Sequence, residues 1–230
     1  MKYLSVIGTS KIIHQHLDSA IKLGFIPKDI CTTNKNSKNL KKLKVKYKFK
    51  EVYLSWIKMF KQHSNKPNRN MHYLIAPRII DTEKILSKFI TLNNKILVEK
   101  PVILDSKKIL KYLNFNKNIY VGYNRIFYKS INYLKRKKIR NSYINVFVPE
   151  TKLINFKKNS CHILSILLFL FGDLKVISKI KKKNFILVTL KDKNKNFISI
   201  NVCFKSTDNF SITFYNKNNT HVLKPIEKYE

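Results

Sequence analysis

Glycine is almost missing from this chain, with 4 among 230 residues, and proline is nearly as rare at 6. In so glycine-poor a sequence each survivor marks a backbone position that tolerates little else. Cysteine numbers only 3, and Cys31, Cys161 and Cys203 lie far apart. That spacing excludes a paired-cysteine metal motif and a disulfide framework, and it fits a reducing compartment. Long apolar runs are absent too. The most apolar stretch, Ile163 to Phe171, is about half of what a membrane span needs. The first residues, Met1 to Gly8, hold a charge but no apolar segment of signal-peptide length. A cytoplasmic protein with no membrane partner is therefore expected. Acidic residues are scarce at 13 against 47 basic ones, which sets a formal charge of +34. Arginine is scarce within that excess, at five residues (Arg69, Arg78, Arg125, Arg136, Arg140). Base-edge and bidentate phosphate contacts favour the guanidinium fork over the ammonium. The lysines are spread through nearly every segment, so a specific nucleic-acid partner is not expected. Excess Lys, Asn, Ile, Phe and Tyr fits compositional drift in an AT-rich genome.

What is present argues for a folded protein. A hydrophobic fraction of 44% with 12% aromatics supports packed cores and excludes disorder. The length suits one generous domain or two small ones. Lys2–Ile7 is a β-type run stopped by Gly8, after which Ile13, Leu17, Ala20 and Ile21 recur at helical spacing up to the stop at Gly24. Further strands are predicted at Asp29–Thr33, Phe49–Tyr53, His72–Ala76 and Lys95–Val98. Helices are predicted between them at 34–43, 55–61, 82–92 and 105–113, the last capped by Asp105 or Ser106. Strands alternating with helices predict a doubly wound parallel sheet over residues 1–121. Beyond Gly122 the texture changes. A half-buried strand at 142–148 and an apolar helix at 160–171 precede five strand-like runs (176–180, 185–190, 197–204, 210–215, 221–223). Residues 122–230 thus read as a smaller α+β domain with a mostly antiparallel sheet. The basic run from Lys135 to Arg140 reads as a solvated helix end.

Five segments stand in a definite order: Val6-Ile7-Gly8-Thr9-Ser10-Lys11-Ile12-Ile13, Leu74-Ile75-Ala76-Pro77, Ile96-Leu97-Val98-Glu99-Lys100-Pro101, Val121-Gly122-Tyr123-Asn124-Arg125, and His162 through Gly172-Asp173. Together they resemble the Gfo/Idh/MocA family (glucose–fructose oxidoreductase and inositol dehydrogenase), over essentially the whole chain, with Glu-Lys-Pro the most distinctive piece. The resemblance implies a two-domain NAD- or NADP-dependent oxidoreductase acting on sugars, cyclitols or nucleotide-activated sugars. By this resemblance Gly8, Thr9, Ser10, Lys11, Ile12 and Ile13 hold the cofactor pyrophosphate. Thr33 and Asn34 sit by the adenosine ribose, Ala76 and Pro77 pass beneath the cofactor, and Glu99 and Lys100 lie near the nicotinamide. Lys100 and His162 are the catalytic candidates, with Tyr123, Asn124 and Arg125 on the substrate side and His16 structural. No metal is implied, and the open face of the second sheet is where such proteins dimerise.

The chemistry asks for this pair of side chains. Hydride loss from a carbinol carbon requires removal of the hydroxyl proton; histidine titrates in the right range and an ammonium stabilises the alkoxide-like oxygen. Departures from the pattern are equally specific. Of G-x-G-x-x-G/A only Gly8 is present, with Ser10 and Ile13 at the other two glycine positions, which is expected to weaken the phosphate cradle. Strand two ends in Thr33-Asn34 rather than in an acid, so the signature for a ribose 2′-hydroxyl is missing. Lys158, Ser165 and Asp81 stand where relatives carry an acid, an acid and a histidine. The chain also ends sooner than the family does, as expected of a shortened member. Two other readings stay open: a non-catalytic nucleotide-binding member of the same fold, and a basic nucleic-acid binder.

Overall fold

In the computed structural model, which describes residues 1–32, 34, 36–115, 117–137, 139–217 and 219–228, the chain divides into two compact units, Met1–Gly122 and Tyr123–Glu230. The first unit alternates strand and helix: β1 (Lys2–Ile7), α1 (Ile12–Lys22), β2 (Phe25–Cys31), α2 (Lys38–Tyr47), β3 (Glu51–Tyr53), α3 (Trp56–Asn65), β4 (Met71–Ile75), α4 (Ile79–Phe89), β5 (Lys95–Val98), α5 (Ser106–Ile109) and β6 (Ile119–Val121). All six strands are parallel in the order β3-β2-β1-β4-β5-β6. That is the doubly wound order, which reverses direction between β1 and β4.

Both faces of this sheet are covered, so its central strands are near-continuous apolar runs. Val6, Ile13, Leu17, Ile30, Leu43 and Leu74 pack α1 and α2 against one face. Met59, Tyr73, Ile75, Ile85, Phe89 and Val98 pack α3 and α4 against the other. A buried polar group crosses the second core. Ser5 Oγ donates to Asp29 Oδ2 at 2.9 Å, His63 Nε2 lies 3.1 Å from the same oxygen, and His63 Nδ1 lies 3.0 Å from the Tyr73 hydroxyl. Asp29 is fully buried, and Ser5 and His63 both satisfy its Oδ2 there.

The second unit contains α6 (Lys129–Arg136), β7 (Tyr143–Glu150), α7 (Leu153–Phe171), β8 (Lys175–Lys181), β9 (Phe185–Lys191), β10 (Phe197–Phe204), β11 (Ser211–Tyr215) and β12 (Thr220–Leu223). Its sheet has the order β12-β11-β7-β10-β9-β8; β7 and β10 are parallel and every other pairing is antiparallel. Ile144, Val146, Ile198, Val202 and Phe214 meet Ile163, Ile166, Leu167 and Phe171 of α7 in one core.

Element boundaries shift where polar residues interrupt the apolar pattern. Strand β2 starts at Phe25, directly after Gly24, which turns the chain with φ of +80°. Lys28 and Asp29 obscure that strand in the sequence. The helix at 105–113 is reduced to a single α-turn capped by Asp105, whose carboxylate accepts from Lys107 N, and continues as 3-10 turns to Phe115. Helix α7 begins at Leu153, because Lys157 and Asn159 occupy an exposed side of the same helix. In the basic run, Lys135 does more than stay solvated: its ammonium donates to the Phe169 carbonyl and, at 3.2 Å, to that of Leu170, closing the last turn of α7.

Replacing His63 with alanine removes one of the two side chains that contact Asp29 Oδ2, and the expected loss is about 1–3 kcal/mol of unfolding free energy. Urea denaturation followed by circular dichroism checks this, and a loss below about 0.5 kcal/mol would show that the contact does not hold the core.

Candidate functional site

The carboxyl ends of β1, β2 and β4 open into a cleft of about 550 Å³ in the first unit. Such a crevice at the point where strand order reverses is where open α/β sheets take ligands. Its walls are Ile7, Gly8, Thr9 and Ser10 from the end of β1, Cys31, Thr32, Asn34 and Ser37 from the β2–α2 turn, and Ala76, Pro77 and Arg78 from the end of β4; Trp56, Asp81 and Ile85 complete it.

Gly8 fixes the geometry. Its N–H donates to the Cys31 carbonyl at 2.9 Å, and its φ of +117° is one that side-chain-bearing residues avoid. A Cβ there would stand 2.3 Å from the Ala76 carbonyl oxygen and 3.0 Å from Pro77 N. The bare backbone therefore lets the end of β1 close against the end of β4 before the chain enters α1. From Ser10 the helix begins: Ile13 N donates to Ser10 O at 3.1 Å and His14 N to Lys11 O at 3.3 Å. Two first-turn N–H groups are thus satisfied within the turn, and with no acidic side chain in the first turn of α1 the positive end of the helix suits an anion. Asn39 of α2 donates to the Thr9 carbonyl at 2.9 Å and clamps this loop from the side.

Two departures from the glycine fingerprint have definite structural consequences. Ile13, at the third position, is fully buried among Val6, Leu17 and Leu74 rather than crowding the cleft. Ser10, at the second, lines the cleft itself. Of the other candidates for the cofactor, Gly8, Thr9, Asn34, Ala76 and Pro77 line the same cleft, whereas Lys11 and Ile12 begin α1 outside its walls. Thr33 lies outside the described residues.

Glu99 and Lys100 follow β5, one strand further along. Glu99 N donates to the Ile75 carbonyl at 2.8 Å, and its carboxylate reaches His16 Nε2 of α1 at 2.5 Å. Gly122 makes room for it, since a Cβ there would sit 2.8 Å from Glu99 Oε1. Glu99 is thus a tie between the strand end that carries Lys100 and the helix that starts at the cleft. Lys100 is half-buried at the head of that strand end, joined to Pro101 by a cis peptide.

In the second unit, His162 sits in the middle of α7 at 8% exposure, and the Ser165 hydroxyl donates to its carbonyl at 2.9 Å. The short turn formed by Asn124–Phe127 packs on this helix. Burial, and then the neighbouring Cys161, push the Tyr123 phenol above its ordinary range. Tyr123 therefore lies near Cys161, the residue before the candidate base His162, and Asn124 and Arg125 belong to the turn that packs on the same helix.

Trp56, Arg78, Cys31 and Ser37 were missed in the sequence as cleft residues. A proline-marked strand end signals Arg78, but Trp56 and Ser37 come from α3 and the cap of α2 and carry no motif. Burial pushes the Cys31 thiol up to about 12, so it is a neutral wall of the cleft. Among the described residues no cluster of His, Cys, Asp or Glu could hold a metal ion, and no helix is long and apolar enough to cross a membrane.

No protein-family model matches the sequence, and no curated protein matches it. Solved structures do share the fold, and they are dehydrogenases of the Gfo/Idh/MocA type. One is the WlbA dehydrogenase from Bordetella pertussis in complex with NADH and UDP-GlcNAcA, at a TM-score of 0.79 and 13% identity, covering 100% of this chain and 81% of that one. The WlbA dehydrogenase from Chromobacterium violaceum, also with NADH and UDP-GlcNAcA, gives 0.77 at 15% identity over 96% and 73% of the two chains. A myo-inositol dehydrogenase from Corynebacterium glutamicum gives 0.75 at 12% over 97% and 75%.

Exchanging Gly8 for alanine forces the ends of β1 and β4 apart. The expected cost is about 1–3 kcal/mol for overpacking at a strained φ, with a lower melting temperature and a shift in Trp56 emission as the cleft deforms. Differential scanning fluorimetry with an emission spectrum reads both, and an unchanged melting temperature refutes the close approach.

Proposed function

We propose that this protein is an NAD(P)-dependent oxidoreductase that transfers hydride between a nicotinamide cofactor and a hydroxyl of a sugar, cyclitol or nucleotide-activated sugar. The observation that carries the reading is the cleft at the β1/β4 reversal, with Gly8 closed onto Ala76 and the start of α1 beside it. Its fit to a dinucleotide is chemical as well as spatial. The cradle depends on a missing Cβ at Gly8, the adjoining helix carries no acid in its first turn, and the volume is within the range of small-molecule sites. Structures with this fold that hold NADH and a nucleotide-sugar acid support the same assignment.

In this reading Gly8, Thr9 and Ser10 with the first turn of α1 bind the pyrophosphate, and Ala76-Pro77 forms the floor under the cofactor. A bound nicotinamide supplies the hydride acceptor in oxidation and the donor in reduction. The remaining work falls to two side chains. In the first unit the Lys100 ammonium is assigned the hydrogen bond to the substrate oxygen as it gains alkoxide character, and in the second His162 is assigned the role of proton acceptor. The Glu99–His16 contact holds the backbone from which Lys100 extends, so Glu99 is a positioning residue. Tyr123, Asn124 and Arg125 bind the substrate.

Titrating the protein with NADH and with NADPH tests the cofactor assignment: quenching of Trp56 emission and a raised melting temperature are expected, and the absence of both at millimolar concentration overturns it. With turnover found on a sugar or nucleotide-sugar panel, Lys100→Ala is expected to lower kcat by about a hundredfold while leaving cofactor affinity within a few-fold. Equal turnover in the variant removes Lys100 from the chemistry.

The reading includes a homodimer. The face of the second sheet turned away from α7 carries Tyr143, Phe147, Phe185, Leu187, Phe197 and Tyr215, all at least partly exposed, and a second copy is the proposed cover. Light scattering behind size exclusion is expected to give twice the chain mass of 27.3 kDa; a monomer at tens of micromolar defeats the dimer.

A further inference from the structure

We infer that the cleft selects the 2′-phosphorylated dinucleotide, NADP(H), over NAD(H), through Asn34 and Ser37 on one rim and Arg78 on the other. This inference rests on the cofactor reading above and adds to it the identity of the group at the adenosine ribose. The physical question is what the rim can accept and what it can donate. A ribose 2′-hydroxyl is held in such folds by a carboxylate, which accepts its proton, whereas a 2′-phosphate is only an acceptor and needs donors.

At the end of β2 each polar side-chain oxygen already holds one backbone contact. Thr32 Oγ1 accepts from Asn34 N at 3.2 Å and faces the Asn34 carbonyl at 3.4 Å, so that hydroxyl is closed on its own turn. Asn34 Oδ1 accepts from Asn36 N at 3.0 Å, which leaves the amide Nδ2 as the group it offers. Ser37 Oγ accepts from Leu40 N at 3.3 Å as the cap of α2, which leaves its hydroxyl proton to donate. No acidic residue stands in the first turn of α2, so the positive end of that helix is not offset there.

Across the cleft stands Arg78, with its side chain 74% exposed. Its Nη2 and Nε lie 3.1 and 3.2 Å from Asp81 Oδ2. Asp81 is the one carboxylate among the described residues lining the cleft, and it is committed to that ion pair. The pair uses two of the five guanidinium donors, so Arg78 can keep Asp81 neutralised and still bind a phosphate. Donors on both sides of the cleft, with the single acid among its described lining residues paired, fit a phosphate dianion better than a hydroxyl.

The overall charge of +34 attracts any extra phosphate, so the experiment must separate position from charge. Isothermal titration of the full chain with NADPH and NADH is compared with titration by adenosine 2′,5′-bisphosphate, adenosine 3′,5′-bisphosphate and 5′-AMP. The expected result is NADPH at least about tenfold tighter than NADH, and the 2′,5′-bisphosphate at least about tenfold tighter than both the 3′,5′-isomer and 5′-AMP. In Asn34→Asp, a near-isosteric change at an exposed position, NADPH is expected to weaken about tenfold or more while NADH holds or tightens. NADH binding as well as NADPH, the two bisphosphate isomers binding equally, or Asn34→Asp leaving NADPH affinity unchanged each overturns the inference while the cofactor reading stands. Binding of neither dinucleotide overturns both.

Discussion

The carbonyl of Ala76 and the α-carbon of Gly8 approach to a distance that no side chain could share, and the arrangement of the first unit is organised around that contact. It is sustained by hydrogen bonds on both sides of β1, from Gly8 N to Cys31 O and from Ala76 N to Ile7 O. Because the end of β1 is pinned between β2 and β4, α1 departs from a fixed point and its first turn stands at the cleft. The same pinning places Asn34 and Ser37 on one rim and Pro77 and Arg78 on the other. A single missing Cβ thus sets the width of the crevice.

A second tie links this contact to the strand that carries Lys100. Glu99 spans from the end of β5 to His16 on α1, over the room left by Gly122. Two of the four glycines therefore serve the same end of the sheet, one by letting two strands meet and the other by letting a carboxylate pass beneath a turn. Two buried polar side chains, Asp29 and His63, hold β2 to α3 from inside the core and take no part in lining the cleft. Lysine, which dominates the composition, is used for surface and for local closure, as in the hold of Lys135 on the last carbonyls of α7.

Legibility of the sequence followed the strength of the local signal. Strands β1, β5 and β10 were readable to within a residue because each is a short apolar or alternating run bounded by turn residues. Strand β2 was displaced because Pro27, Lys28 and Asp29 interrupt its first half, and Asp29 is paired in the core with a histidine 34 positions away in sequence. The first part of α7 was hidden by Lys157, Lys158 and Asn159, which a helix carries without strain on its exposed side. Within the cleft, Gly8, Ala76 and Pro77 announced themselves at strand ends. Trp56 and Ser37 did not, since they reach the cleft from helices whose approach depends on packing. Glu99 was legible as part of a motif but not as a partner of His16.

The sequence by itself determined the alternation of strand and helix, the change of texture beyond Gly122, and the positions where backbone freedom is indispensable, because each rests on short-range periodicity or on the special geometry of glycine. It also determined that strand two ends without an acid. Only the tertiary structure decided what that loss means. Whether a rim accepts or donates depends on which lone pairs the neighbouring turns have already taken, and Thr32, Asn34 and Ser37 each spend one on a backbone group brought near by the β2–α2 turn. Arg78 meets Asp81 across one turn, but both reach the opposite rim only because β4 lies beside β1 in the sheet, a pairing of residues some 70 positions apart that no local pattern encodes.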